Sequence, residues 1–222
     1  MSFAPQGSVG WQGSVGWQGS LLDLAETMEL RDLSSGLVRR ELTAGAWVDV
    51  RPGWLAAADE LFEVLHREVP WHAERRQMYD SVVDVPRLTK FYAEGETLPH
   101  PMLVTVREAL GDHYEAELGE RFVSAGLCLY RDGRDSVAWH GDRIGRSKDA
   151  DTMVAILSLG SARPLLLRPR DGGGAALRLP LGHGDLVVMG GSCQRTWDHA
   201  IPKTARDVGP RISVQLRPRG VR

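Results

Sequence analysis

Three side chains in this sequence could share one metal ion. His140-Gly141-Asp142 closes a stretch, Val137–His140, that reads as a β-strand. Residues i and i+2 of a strand point to one face, so an imidazole and a carboxylate are presented together. His199, in Trp-Asp-His-Ala, lies 57 residues beyond Asp142, far enough for the chain to cross between sheets and return. Two histidines and one carboxylate make a facial triad, which leaves open positions on Fe(II). A second pair, His183-Gly184-Asp185, has the same local form. Only 14 residues separate Asp185 from His199, and Leu-Gly-His-Gly-Asp reads as a turn ahead of a strand. The first pair is therefore the expected metal site.

A cation-bearing strand stands nearby in the sequence. Arg211-Ile-Ser-Val-Gln-Leu-Arg217 alternates, so Ile212, Val214 and Leu216 share one face and Arg211, Ser213, Gln215 and Arg217 share the other. Such a polar face is either the solvated side of an edge strand or the wall of an anion site. Guanidinium forks bind carboxylates in a bidentate manner. An iron with open positions beside an arginine-lined slot is what 2-oxoglutarate requires. That acid chelates the metal at its keto-acid end and needs a cation for its distal carboxylate.

The elements that must position these groups can be read from pattern. Residues 53–68 suggest a helix with Leu55, Leu61, Phe62 and Leu65 on its apolar face, and 101–118 a second with Leu103, Val106 and Leu110 inward. Residues 38–50 carry short β-like stretches. Residues 70–100 show neither period, and their aromatic, proline and arginine content suits a surface segment that binds something. Beyond residue 120 the pattern becomes strands: Ala125–Tyr130, Val137–His140, Met153–Leu159, Pro164–Arg168, Ala176–Leu179, Asp185–Met189 and Ile212–Leu216. Helices first and strands later make an α+β fold with a sandwich or jelly roll.

Composition narrows the rest. A chain of 222 residues is one domain, with 25 % charged and 42 % hydrophobic residues. No run approaches the ~18 apolar residues of a membrane helix, and no secretory leader is visible. The expectation is a cytoplasmic monomer without membrane contact. Cys128 and Cys193 are too few for a disulfide scaffold or a four-thiolate zinc site. Residues 1–120 hold 10 basic and 20 acidic side chains, net −10, whereas residues 121–222 hold 17 and 9, net +8. The positive half favours an anionic partner. Arg131, Arg134, Arg143 and Arg146 lie close to the metal-site strand in sequence. At the N-terminus Gly-Ser-Val-Gly-Trp-Gln occurs at 7–12 and again at 13–18, so residues 1–20 read as a flexible tail ahead of one domain over 21–222.

From Gly126 to Arg217 the chain resembles the AlkB family of Fe(II)/2-oxoglutarate-dependent dioxygenases. The resemblance rests on Leu-Tyr-Arg-Asp-Gly at 129–133, Trp-His-Gly-Asp at 139–142 and Leu-Ser-Leu-Gly at 157–160. It continues through His-Gly-Asp-Leu at 183–186, Trp-Asp-His at 197–199 and Pro-Arg-Ile-Ser-Val-Gln-Leu-Arg at 210–217. Residues 75–95 are similar to the family's nucleotide-recognition lid, chiefly in Val-Pro-Arg-Leu-Thr at 85–89 and in Tyr92.

The resemblance implies a double-stranded β-helix core over about 121–222, N-terminal helices packed outside, and a lid over about 70–100. It makes His140, Asp142 and His199 the iron ligands and catalytic set. Arg211 would hold the distal carboxylate of 2-oxoglutarate, Arg217 would sit near the metal-bound end, Tyr130 would hydrogen-bond the cosubstrate, and Ser213 would line its pocket. Arg87, Tyr92, Trp139 and Arg143 are the expected substrate contacts. The implied reaction uses Fe(II), 2-oxoglutarate and O2 to dealkylate bases of single-stranded or duplex DNA, or of RNA, releasing succinate, CO2 and an aldehyde. The alternatives are an oxygenase acting on a protein or small molecule, and a nucleic-acid-binding module with a dead site. Many relatives carry asparagine where this chain has Cys128 and Ser213, and an acidic residue where it has Arg143-Ile-Gly-Arg146.

Overall fold

The computed structural model describes residues 27–78, 81–142 and 145–221. The duplicated tail at 1–20 and Arg143 lie outside these residues. The N-terminal third contributes β1 (Glu29–Leu30), β2 (Val38–Glu41), β3 (Ala46–Arg51), β4 (Leu55–Ala56) and α1 (Asp59–Glu68). Next come β5 (His72–Met78), β6 (Ser81–Tyr92), α2 (Pro101–Leu118), β7 (Phe122–Tyr130) and β8 (Val137–His140). The last third holds β9 (Val154–Gly160), β10 (Arg163–Pro169), β11 (Leu177–Leu181), β12 (Asp185–Gly191), α3 (Cys193–Thr196), β13 (Trp197–Ile201) and β14 (Arg211–Pro218).

The fold is α+β and dominated by antiparallel sheet. One sheet runs β2-β3-β12-β9-β14-β7-β6-β5, a second runs β11-β10-β13-β8, and β1 pairs with β4. The central strands of the large sheet are buried on both faces, which is why they read as apolar runs. On β9, Ala155, Leu157 and Leu159 meet Leu61, Leu65, Leu103, Val106 and Leu110 of the helices. Val154 and Ile156 point the other way, into a second cluster with Leu165, Leu167, Trp197 and Ile201 of the small sheet. Each fully buried aliphatic side chain stabilises the fold by about 1.5–3 kcal/mol over an exposed one.

Helix α2 has the limits its sequence implies. Pro101 begins it, the His100 ring accepts a hydrogen bond from the Met102 amide at 3.1 Å, and Gly119 ends it at φ 77°. Helix α1 is shorter than the expected 53–68. Pro52-Gly53 forms a turn in which the Gly53 amide donates to Asp185, and Leu55 pairs in β4 rather than lying on the helix. The segment 70–100 is also corrected, since β6 adds to the large sheet beside β7 and β5 pairs with β6. Pro86 interrupted the pattern. Between Asp84 and Leu88, β6 carries more residues than the facing Ala73–Arg75, a bulge that tolerates a proline without an amide donor. Strand β13, which carries His199, was not among the expected strands. No helix among the described residues is long and apolar enough to cross a membrane.

Candidate active site

His140 ends β8 and lies directly opposite His199 of β13, with ring centroids 4.2 Å apart. Asp142 follows two residues later. It sits in the loop after β8 rather than on the strand, and that loop is held in place. The Asp142 amide donates to Gln194 of α3 at 3.0 Å, and the Ser147 hydroxyl donates to the Asp142 carbonyl. One ligand atom from each of His140, Asp142 and His199 lies within 4.8 Å of the others.

Local geometry selects those atoms. The ladder between β13 and β8 shifts between His199 and Ile201, so β8 bulges around Ala138 and Trp139. His140 Nδ1 stands 2.8 Å from the Ala138 carbonyl. A proton on Nδ1 satisfies that contact and leaves Nε2 as the ligand nitrogen, 3.6 Å from Asp142 Oδ1. Asp142 Oδ2 accepts from Arg217 at 2.7 and 3.2 Å, so Oδ1 is the oxygen left toward the histidines. Burial works to raise the Asp142 carboxyl. The Arg217 guanidinium, then His199 and His140, outweigh it and keep the group ionised well below the usual carboxylate range. Burial, with His140 beside it, pushes His199 down to about 3, so this imidazole is neutral and able to bind a metal.

The other end of the site is a cavity of about 360 Å³ lined by Tyr130, Cys128, Arg211, Ser213, Gln215 and Arg217 together with the three metal-type ligands. Strand β14 is central, between β9 and β7, so its polar face is not the solvated side of an edge strand. Ile212, Val214 and Leu216 turn to the helices and are fully buried. Arg211 is 1 % exposed. Its Nε donates to Ser158 at 3.0 Å and its guanidinium lies 5.3 Å from the Tyr130 ring centre. Its Nη1 is buried and finds no hydrogen-bond partner among the described residues. Burial lowers its pKa from the ordinary guanidinium value. Burial also pushes Tyr130 up to about 12, so the phenol keeps its proton for donation. A buried cationic N–H without an acceptor fits a carboxylate arriving from outside. The residues present therefore suit Fe(II) at one end and a dicarboxylate reaching to the other.

The remaining candidates divide. Ser213 is buried opposite Cys128 and within 3.4 Å of the Gln215 amide nitrogen. Arg87 lines the cavity, donates to the Ser136 carbonyl at 3.4 Å and keeps a buried Nε without a partner among the described residues. Tyr92 does not face the cavity. Strand parity puts it with Leu88 on the helix side, packed in that core. Trp139 also turns away, under the guanidinium of Arg168 at 4.3 Å. Arg131 pairs with Asp135, Arg134 with Asp132 and Arg146 with Glu120, so these cations are already matched by carboxylates. Sequence reading missed Ser158 and Gln194 as site residues, and it placed Gln215 on the polar face of β14 without giving it a role. Ser158 was visible as the lone polar residue inside an apolar strand, and Gln215 by its parity with Arg211. Gln194 carried no local signal, because a helix of four residues brings it to Asp142.

Residues 52–219 match the family model of the 2OG-Fe(II) oxygenase superfamily. The chain is 34 % identical over 190 residues to the alpha-ketoglutarate-dependent dioxygenase alkB homolog 3 of Bos taurus, covering 75 % of this chain and 64 % of that protein. It thus spans just under two thirds of that relative's length. The Homo sapiens alkB homolog 3 is 30 % identical over 215 residues, covering 89 % of this chain and 72 % of that one. The Homo sapiens DNA oxidative demethylase ALKBH2 is 29 % identical over 180 residues, covering 73 % and 69 %. Among solved structures, OsALKBH1 is similar at a TM-score of 0.58 and 11 % identity, covering 82 % of this chain and 100 % of that one.

Proposed function

The chain belongs to the 2OG-Fe(II) oxygenase superfamily, in its AlkB branch, and from that premise we propose that it oxidatively dealkylates bases of DNA or RNA. One arrangement carries the reading. His140 Nε2, Asp142 Oδ1 and His199 converge at one end of a cavity whose other end holds the unpartnered Nη1 of Arg211. Fe(II) with 2-oxoglutarate and O2 would supply oxidation of an alkyl carbon on a base nitrogen, giving succinate, CO2 and an aldehyde.

The chain's own groups do the positioning. Arg217 holds Asp142 ionised and fixes which oxygen faces the histidines. Arg211 and the protonated Tyr130 receive the distal carboxylate of the cosubstrate. The apolar walls, Ile156, Leu165 and Ile201, keep bulk water from the oxidation. The two facing sheets take the double-stranded β-helix form, and the β5–β6 hairpin serves as the lid over the base, with Arg87 reaching into the cavity. A base must leave its stack to arrive there.

The test is aldehyde release from N-methylated single-stranded DNA, duplex DNA and RNA. Release is expected only when Fe(II) and 2-oxoglutarate are both supplied. Turnover of 2-oxoglutarate with no aldehyde from any methylated polynucleotide overturns the nucleic-acid reading and leaves an oxygenase of another substrate.

A further inference from the structure

Arg163, the first residue of β10, is 1 % exposed and has no carboxylate partner among the described residues. Its donors instead reach three main-chain carbonyls from two different segments. Nη1 donates to Asp132 at 2.9 Å, and Nη2 donates to Asp135 at 2.9 Å and to Pro202 at 2.6 Å. Asp132 follows Tyr130 by two residues, and Pro202 follows His199 by three. The guanidinium also lies 5.9 Å from the Tyr130 ring centre, and Arg211 lies 5.3 Å from the same ring.

This contact fastens the loop between β7 and β8, which follows Tyr130, to the segment after β13, next to the end of the β8–β13 ladder at Val137 and Ile201. Strand β7, with Tyr130, belongs to the large sheet, whereas β10 and β13 belong to the small one. The β10–β13 ladder reaches only to Leu166 and Ala200, so Pro202 lies beyond it. One main-chain bond, from the Thr204 amide to the Gly133 carbonyl at 2.8 Å, adds to the tie further out. A buried cation satisfied by carbonyls alone is costly unless every donor is well placed. Its Nε has no partner among the described residues, so the geometry depends on the Nη contacts.

We infer that Arg163 is the strut that sets the distance between the metal-ligand strand and the Arg211–Tyr130 end of the cavity, and so selects the chain length of the 2-oxo diacid. This rests on the function proposed above. Arg163 does not line the cavity and acts through Tyr130 and the strand of His199, as a positioning residue. A diacid held at both ends registers that distance. One extra methylene moves its distal carboxylate beyond the ~0.5 Å window in which a hydrogen bond keeps its strength.

The experiment is calorimetric titration of 2-oxoglutarate and of 2-oxoadipate, one methylene longer, into Mn(II)-loaded protein without O2. Wild type should prefer 2-oxoglutarate. In Arg163→Gln that preference should shrink by about tenfold or more, the scale of one lost hydrogen bond to a charged group. Arg163→Lys, which keeps a cation but not the fork, should fall between. If the Gln variant lacks a cooperative melt, the Lys variant carries the comparison. An unchanged preference, or equal weakening for both acids, overturns the inference, because a merely structural role predicts it. A wild type that binds no 2-oxoglutarate overturns the proposed function and this inference with it.

Discussion

His140-Gly141-Asp142 and His183-Gly184-Asp185 are one pattern placed in two surroundings. In the first, Asp142 meets a side-chain cation, Arg217, through Oδ2, and its Oδ1 stays toward two imidazoles. In the second, both oxygens of Asp185 are taken by main-chain amides, Gly53 at 2.7 Å and Gly182 at 2.7 Å. His183 likewise accepts from the Gly160 amide at 2.8 Å through Nδ1. Gly184, between them, holds φ 77°, and an added Cβ would come within 2.1 Å of the Leu55 carbonyl oxygen. A carboxylate saturated by backbone donors builds a turn. A carboxylate balanced by a cation on one oxygen has a second oxygen to give to a metal.

The largest test of that contrast is Asp142→Ala. Activity should fall to background, with metal uptake lost, because two imidazoles alone supply neither the charge nor the third ligand. The fold should survive, since Gln215 still accepts from Arg217 at 2.6 Å. Aldehyde release, Mn(II) binding and a melting curve check the three parts. Metal loss in Asp185→Ala together with metal retention in Asp142→Ala would reverse the assignment.

Arg211→Ala comes next. Removing the cation from a desolvated carboxylate pair costs ~3–5 kcal/mol, a factor of roughly 10² to 10³ or more in 2-oxoglutarate affinity. Arg211→Lys should recover only part of it, because a point charge cannot replace a fork. Titration calorimetry measures both, and an unchanged affinity in the Ala variant moves the carboxylate elsewhere.

These residues show what a sequence carries. The alternation of β14 was legible because both faces of a central strand are specified, one by the core and one by the cavity. The metal-type ligands were legible through type and spacing. Tyr92 was misread because a residue's face depends on register with β7, and Leu88 and Tyr92 share the parity that meets the helices. Residues 70–100 hid two strands because β5 is largely polar and Pro86 breaks the period of β6. Arg163 resembled any surface arginine, and only the fold brings three carbonyls to it.

Asp185→Ala is expected to cost about 2 kcal/mol of stability, for two hydrogen bonds to a partly exposed charged group. Turnover per folded molecule should not change. Urea unfolding beside a specific-activity measurement separates the two, and lost turnover at full folding would show that the turn feeds the site.

The smallest effect is a slope. His199 is pushed down to about 3 in the fold, from 6.5 as an ordinary imidazole. Between those values the unfolded chain binds a proton that the folded, metal-free chain does not. Stability therefore rises with pH across that window and falls as the solution is acidified, by up to ~1.4 kcal/mol per pH unit for one proton. Asp142, held below its ordinary 3.8, contributes stability that is complete above that value and lost beneath it. Its share therefore lies under the window from pH 4.5 to 6. Urea unfolding with chelator at half-unit steps through that window gives the slope. His199→Gln should flatten it by nearly one proton, whereas Asp185→Ala should lower the whole curve in parallel. An undiminished slope in His199→Gln would mean that the folded site takes up the proton, and that burial in the small sheet does not hold this imidazole neutral.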